Sequence, residues 1–282
     1  MWKKLGWLSV VLVTGLLLTG CRATTPTTKS NASGRVTAVP TLFFHGYGSS
    51  INAETHMANA AVKAGVTRSV VQAQVANDGS VRLKGHFKAG ERSPIVEVGF
   101  ANNRNGNYRV AGRWVKNVVV TLQQRYRIKA FNVVGHSMGN MAIVYYLLQY
   151  GANKRLPQLR KQVDIAGHFN GILGMNDEPN RMKLKVDGQP MKMDADYRTL
   201  LKLRQTLPKN QIQVLNIYGD KNDGTHSDGR VSNASSQSLR YLVAPRAQSY
   251  REKRIVGPAA QHSRLHENAQ VDRALIKFIW NQ

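Results

Sequence analysis

The chain alternates short apolar runs with longer segments in which apolar residues recur every three or four positions. Residues 39–44, 95–100, 130–134, 162–167 and 213–218 are runs of five or six, rich in valine, isoleucine, leucine and phenylalanine. Runs that short, apolar at odd and even positions alike, predict strands buried on both faces of a parallel sheet. Three segments carry the helical period instead. They are 51–64 through Met57, Ala60, Ala61 and Ala64, 112–126 through Trp114, Val115, Val118, Val119 and Leu122, and the C-terminal segment through Val271, Ala274, Leu275, Phe278 and Ile279. Residues 69–74 and 81–85 read as short strands joined at the Asn77-Asp78-Gly79 turn, 102–107 as a polar turn, and 249–256 as a last strand. Strands interleaved with helices predict an α/β domain: a mostly parallel central sheet flanked by helices on both faces. Residues 172–207 break the rhythm and are expected to form a small cap, with Met175, Met182, Met191 and Met193 supplying an adaptable apolar wall or filling the core.

The predicted strand at 130–134 ends in Gly135-His136-Ser137-Met138-Gly139, and a helical pattern starts at once through Met141, Ala142, Val144, Tyr145 and Leu148. Gly-x-Ser-x-Gly between strand and helix is the pattern of a nucleophile elbow, a tight turn that exposes a serine hydroxyl. Glycines flanking the serine allow two backbones to approach closely, and the Met138 N–H at the start of the helix can face a developing oxyanion. Upstream, the run 39–44 opens into His45-Gly46-Tyr47-Gly48-Ser49-Ser50. A strand feeding a glycine-rich turn fits the second half of an oxyanion hole, through the Tyr47 N–H. His45 is expected to brace this loop rather than to react. After the elbow helix, 162–167 leads into His168-Phe169-Asn170-Gly171. Loops at the carboxyl ends of parallel strands line the binding crevice. His45, Gly46, His136, His168 and Phe169 are therefore expected around a substrate pocket.

A serine hydroxyl needs a base, and the base needs a carboxylate to hold its tautomer. Two histidines, His262 and His266, follow the last predicted strand. His262 is the first choice because it leaves the strand-end loop directly; His266 is the second. For the acid, Asp228 in Ser227-Asp228-Gly229-Arg230-Val231-Ser232 is the first choice, and Asp220, at the end of its strand, is the second.

Taken in order, HGYGSS, GHSMGN, HFNG, SDGRVS and HSRLHEN resemble the α/β hydrolases, specifically a cell-surface branch found in Gram-positive bacteria and related to lipases and esterases. The resemblance covers about Val39 to Gln282 and implies an α/β-hydrolase fold. It implies Ser137 as nucleophile, Asp228 as acid, His262 as base, and the Tyr47 and Met138 N–H groups as oxyanion hole. It does not fix a substrate, because the fold hosts many chemistries; the expected substrate is an ester of small-molecule or lipid type, and no cofactor is expected. Two other readings stay open: a thioesterase or amidase on the same residues, or a catalytically idle protein that binds anionic wall or membrane polymers.

The N-terminus changes where this chemistry is expected to happen. A basic head, Met1-Trp2-Lys3-Lys4, precedes an apolar stretch at 5–18 and then Leu18-Thr19-Gly20-Cys21, with the chain's single cysteine. That reads as a signal peptide over 1–20 whose cut exposes a lipid-modified Cys21. Residues 21–38, rich in threonine, serine and asparagine, read as a flexible tether to the hydrolase domain at 39–282. The expected location is the outer face of the cell membrane. Forty lysines and arginines stand against 16 acidic residues, a net charge of +24 that favours anionic surroundings. The charge is scattered and no nucleic-acid motif accompanies it, so nucleic acid is not an expected partner. The eight histidines are dispersed without metal-ligand spacing, and no metal site is expected.

Overall fold

Alternate residues of the central strands point to opposite faces, and here both faces are covered. The structure, a computed structural model, describes residues 38–282; the leader expected at 1–20 and Cys21 lie outside the described residues. Eight strands form one sheet: β1 (Thr41–Phe44), β2 (Val70–Val75), β3 (Val81–Lys84), β4 (Ile95–Phe100), β5 (Ala130–His136), β6 (Gln158–Ile165), β7 (Gln213–Asp220) and β8 (Ser249–Val256). Their order is β3-β2-β4-β1-β5-β6-β7-β8. Every neighbouring pair is parallel except the edge hairpin β2–β3.

Two apolar clusters sandwich the sheet. Leu42, Phe44, Val96 and Val133 face helices α2 (Tyr108–Tyr126) and α3 (Met138–Tyr150) through Trp114, Val118, Leu122, Met141 and Tyr145. Phe43, Ile95 and Val134, each one residue out of step, face α1 (Thr55–Lys63) and α8 (Ala269–Trp280) through Met57, Ala61, Val271, Leu275 and Ile279. The period of two thus explains why these strands read as unbroken apolar runs. Each such side chain removed from water contributes about 1.5–3 kcal/mol.

Several elements extend beyond the predicted ranges. Helix α2 begins at Tyr108, four residues before Gly112, because the Asn107 side chain accepts from the N–H groups of Arg109 and Val110 and caps it. Strand β6 begins at Gln158, where the sequence is polar. There Lys161 donates to the carbonyls of Phe278 and Ile279, free acceptors at the end of α8. The segment 172–207 divides in two. Helices α4 (Ala195–Leu200) and α5 (Leu203–Thr206) bury Tyr197, Leu200 and Leu203 in the main core, and the Tyr197 hydroxyl donates to the Ser238 carbonyl at 2.9 Å. Residues 174–194 instead wall a cavity of about 510 Å³, to which Met175, Met182, Met191 and Met193 all contribute. Two short helices, α6 (Asn233–Gln237) and α7 (Leu239–Val243), were not expected from a serine-rich stretch. The Ser232 hydroxyl starts α6 by accepting from the Ser235 N–H. No helix among the described residues is long and apolar enough to cross a membrane.

At the start of α1 the chain buries a carboxyl group without a partner. Glu54 is 2% exposed, and neither of its oxygens accepts a hydrogen bond. Burial, and then the neighbouring Glu97, push its pKa up to about 8. A folded-state pKa above the unfolded value means that the protonated form favours folding. This contribution is full below about pH 4.5 and is lost as the pH rises towards 8. Glu54→Gln keeps the shape and removes the titration. The variant is expected to melt several degrees above the parent at pH 8.5 and within a degree or two of it at pH 4.5, by calorimetry. An equal shift at both pH values would show that burial of the Glu54 charge is not the cause.

Candidate active site

The carboxyl ends of β1, β5, β6 and β7 meet where the motifs were found, and backbone crowding sets the geometry there. A Cβ on Gly139, in the first turn of α3, would overlap the carbonyl oxygen of Phe44 at the end of β1. The turn between β5 and α3 is correspondingly sharp. Ser137 sits at φ 51° and ψ −116°, a conformation that L-residues rarely adopt. Its N–H donates to the Ile165 carbonyl at 2.9 Å, and Asn140 Nδ2 donates to the same oxygen at 2.8 Å. The elbow is thereby pinned to β6 and the serine hydroxyl is held above the sheet edge.

His262 opens a 3-10 turn at His262–Glu267, after β8. Its Nε2 lies 3.0 Å from Ser137 Oγ, and its Nδ1 lies 2.7 Å from Asp228 Oδ2. An ionised carboxylate only accepts, so Nδ1 carries the proton and Nε2 presents its lone pair to the serine hydroxyl. The other carboxylate oxygen, Oδ1, accepts the N–H groups of Arg230 at 2.8 Å and Val231 at 2.7 Å. The backbone repeats the link, because the His262 N–H donates to the Asp228 carbonyl at 2.9 Å. Asp228 and the His262 side chain are buried.

Asp220 and His266 stand elsewhere. The Asp220 carboxylate accepts from the Asn222 N–H and from Asn233 Nδ2, both at 2.9 Å, and ties its own loop together. His266 lines the cavity but makes no hydrogen bond to Ser137; its ring packs edge-on against His136, centroids 4.9 Å apart.

An open cavity of about 800 Å³ lies over Ser137. Gly46, His136 and His168 line it, as do Tyr47 and Met138. Among the described residues neither the Tyr47 nor the Met138 N–H donates to a backbone acceptor outside regular ladders, which leaves both available. A Cβ on Gly46 would stand 3.2 Å from both Ser137 Cβ and His136 Nδ1, a tight fit, so the absence of a side chain lets this loop lie close against the elbow. The structure corrects two pocket expectations, His45 and Phe169, neither of which lines the cavity. His45 is fully buried beneath the loop. The Phe100 N–H donates to its Nε2 at 3.1 Å, so Nδ1 holds the proton and donates to the Gly46 carbonyl at 2.8 Å. Phe169, in the turn after His168, is fully buried in the core.

The histidines around His262 are kept uncharged. Burial, and then His262 and His266, hold His136 well below the usual histidine range. Burial, and then His262, take His168 down to about 3. A neutral His136 donates from Nε2 to the His262 carbonyl at 3.0 Å, and His168 Nε2 is bonded to the Tyr108 hydroxyl at 3.1 Å. These links fix the backbone and the wall beside the reactive groups without adding charge to them.

Several cavity residues are not marked in the sequence as pocket residues, among them Arg104, Tyr108, Ile172 and Arg230. Arg230 lies inside the SDGRVS motif, two residues from Asp228, and that adjacency was the available signal. Tyr108 meets His168 across 60 residues of chain, and nothing local announces the contact.

Comparison with known proteins gives the class. Residues 28–282 match the family described as "Alpha/beta hydrolase of unknown function", DUF915. The chain belongs to that family, and its sheet and helices have the α/β-hydrolase fold. Among solved structures it is similar to the product of gene lin2722 from Listeria innocua. Identity is 25% and the TM-score 0.78, over 87% of this chain and 95% of that one. It is also similar to a cell surface hydrolase from Lactobacillus plantarum WCFS1. There identity is 22% and the TM-score 0.69, over 86% and 90% of the two chains. No curated protein matches it.

The two aspartates can be separated by the reactivity of Ser137. Asp228→Asn is expected to slow labelling of Ser137 by a fluorophosphonate by about 10³-fold or more, because the wrong His262 tautomer is then favoured. Asp220→Asn is expected to slow it less than about tenfold while lowering the melting temperature, since it loosens the 220–233 loop. The reverse ranking would transfer the acid role to Asp220.

Proposed function

We propose that this α/β hydrolase is an extracytoplasmic serine esterase acting on carboxylic esters. The observation that carries the reading is the hydrogen-bonded series Asp228–His262–Ser137, whose serine and histidine line an open cavity. In the proposed reaction Ser137 Oγ attacks the ester carbonyl carbon and His262 Nε2 takes the hydroxyl proton. The carbonyl oxygen becomes an oxyanion facing the Tyr47 and Met138 N–H groups. As the tetrahedral species collapses, the carbon–oxygen bond to the alcohol breaks and His262 returns its proton to the departing oxygen. Water, deprotonated by the same imidazole, then attacks the acyl-enzyme and releases the acid and free Ser137. Asp228 stays ionised throughout and stabilises the imidazolium formed in each half-reaction.

Ser137→Ala removes the attacking atom. It is expected to lower kcat on p-nitrophenyl butyrate by about 10⁴-fold or more, with an unchanged circular dichroism spectrum. Retained turnover would remove Ser137 from the chemistry. A parent chain inert both to the ester and to fluorophosphonate would favour a binding protein on a hydrolase scaffold. Activity on thioesters or amides but not on esters would keep the machinery and change the bond.

The location rests on the basic, apolar and small-residue series that ends at Cys21. The Lactobacillus protein similar to this one is itself described as a cell surface hydrolase. A diacylglyceryl chain on Cys21, helped by the attraction of the processed chain to anionic lipid (+22 once Lys3 and Lys4 leave with the leader), would hold the domain at the outer face of the membrane. In a Gram-positive host, Cys21→Ser is expected to move the protein out of the lipid-labelled membrane fraction. If labelled palmitate were still incorporated into the variant, Cys21 would not be the anchor.

A further inference from the structure

The cavity over Ser137 carries charge of one sign only. Two arginines line it, Arg104 and Arg230, and no aspartate or glutamate does. Both are exposed, and among the described residues neither is within ion-pair distance of a carboxylate. Asp228, two residues from Arg230, is buried with both oxygens engaged. His136, His168 and His266 are all shifted towards the neutral form, chiefly by burial, and do not supply the charge.

The two guanidinium groups are set on separate loops that the site itself anchors. Arg104 follows Asn103, whose carbonyl accepts the Gly48 N–H at 2.8 Å and whose side chain donates to the Ser49 carbonyl at 2.6 Å. Its Nε lies 3.6 Å from where a Cβ on Gly48 would stand, against the loop that carries the Tyr47 N–H. Arg230 is held by its own N–H on Asp228 and by its carbonyl, which accepts the Leu173 N–H at 2.9 Å. One arginine therefore borders the oxyanion loop and the other the acid loop. Between and beside them the wall is apolar or aromatic at Tyr108, Ile172, Met175 and Val231.

We propose that the natural substrate is an ester bearing an anionic group, a carboxylate or a phosphate, which Arg104 and Arg230 bind while the acyl carbonyl meets Ser137. This rests on the esterase reading above and specifies its substrate class. Arginine suits the task because its planar donor fork matches both kinds of oxyanion, and each contact is charge-assisted. Two such side chains in an open cavity discriminate by attraction to the anion. A neutral ester of the same shape gains nothing from them.

The test uses the full-length chain and a set of aryl esters that share one scissile bond. These are phenyl butyrate carrying at the meta position a carboxylate, a phosphate monoester, or a neutral methyl carboxylate. The quantity read is the ratio of kcat/KM for each anionic ester to that for the neutral one. Arg104→Gln/Arg230→Gln is expected to lower that ratio about tenfold or more, mainly through KM, and Arg104→Lys/Arg230→Lys to recover part of it. A drop confined to the phosphate or to the carboxylate arm identifies which anion is the better match. Arg155→Gln/Arg160→Gln removes the same net charge at the opposite edge of the sheet and is expected to leave the ratio unchanged. An equal loss in that distal pair would assign the preference to the charge of the whole chain and overturn the proposal. So would a parent ratio that the Arg104/Arg230 variant does not alter. If the parent hydrolysed none of the three esters and failed to react with fluorophosphonate, the esterase reading itself would fall.

Discussion

The site depends on one close approach of two backbones, that of Gly139 to the Phe44 carbonyl. Helix α3 can start directly over the end of β1 only because position 139 has no side chain. That start forces the turn at Ser137 into a positive-φ conformation, and the turn in turn aims the hydroxyl away from the sheet. The cost of the strained serine is carried by what surrounds it: its N–H on Ile165, Asn140 on the same oxygen, and the buried first turns of α3. Each remaining part of the site is then placed against this turn, Gly46 from β1 and His262 from the loop after β8. The parallel sheet matters because it brings all of these strand ends to one edge.

A second constraint is electrostatic. Four histidines, His136, His168, His262 and His266, line one cavity, and several charged imidazoles there would repel one another and any positive charge formed on His262. Burial prevents this by holding His136 and His168 neutral, in which state they serve as hydrogen-bonding struts. The neutral His136 fixes the carbonyl of His262, while Asp228 fixes its ring. Backbone and side chain of the same residue are therefore held by independent partners.

The parts of this arrangement that could be read from the sequence are those governed by local backbone rules. The elbow declares itself because glycines are required around Ser137, and the oxyanion loop because Gly46 must pass beside it. Strand identity was legible for the same kind of reason, since positions such as Phe43 and Phe44 both face apolar layers. What could not be read is set by contacts between loops far apart in sequence. Arg104 reaches the cavity because its neighbour Asn103 is bonded to Ser49, and no periodicity encodes that pairing. His45 and Phe169 lie in loops at strand carboxyl ends, where pocket residues are expected, but their burial is decided by packing against Phe100 and the core, which no local pattern encodes. The polar beginning of β6 was missed because Lys161 satisfies carbonyls at the end of α8, a contact spanning 117 residues to Phe278.

The loop between β7 and α6 has the same logic on a smaller scale, and it assigns separate tasks to its two aspartates. Asp220 closes the β7 strand and accepts from Asn222 at the start of the loop and from Asn233 at its end. The Lys221 N–H donates to the Ser227 carbonyl at 2.9 Å, drawing the loop tight just before Asp228. Asp228 then turns on the N–H groups of Arg230 and Val231, which leaves one carboxylate oxygen for His262. A carboxylate that must orient an imidazole needs its own position fixed to a few tenths of an ångström, and the loop 221–232 cannot supply that without internal bonds. The first aspartate provides them. The pair resembled rival candidates for one role because both are aspartates after the same strand. Their hydrogen-bond partners instead make them successive members of one assembly, in which Asp220 shapes the loop and Asp228 faces the histidine.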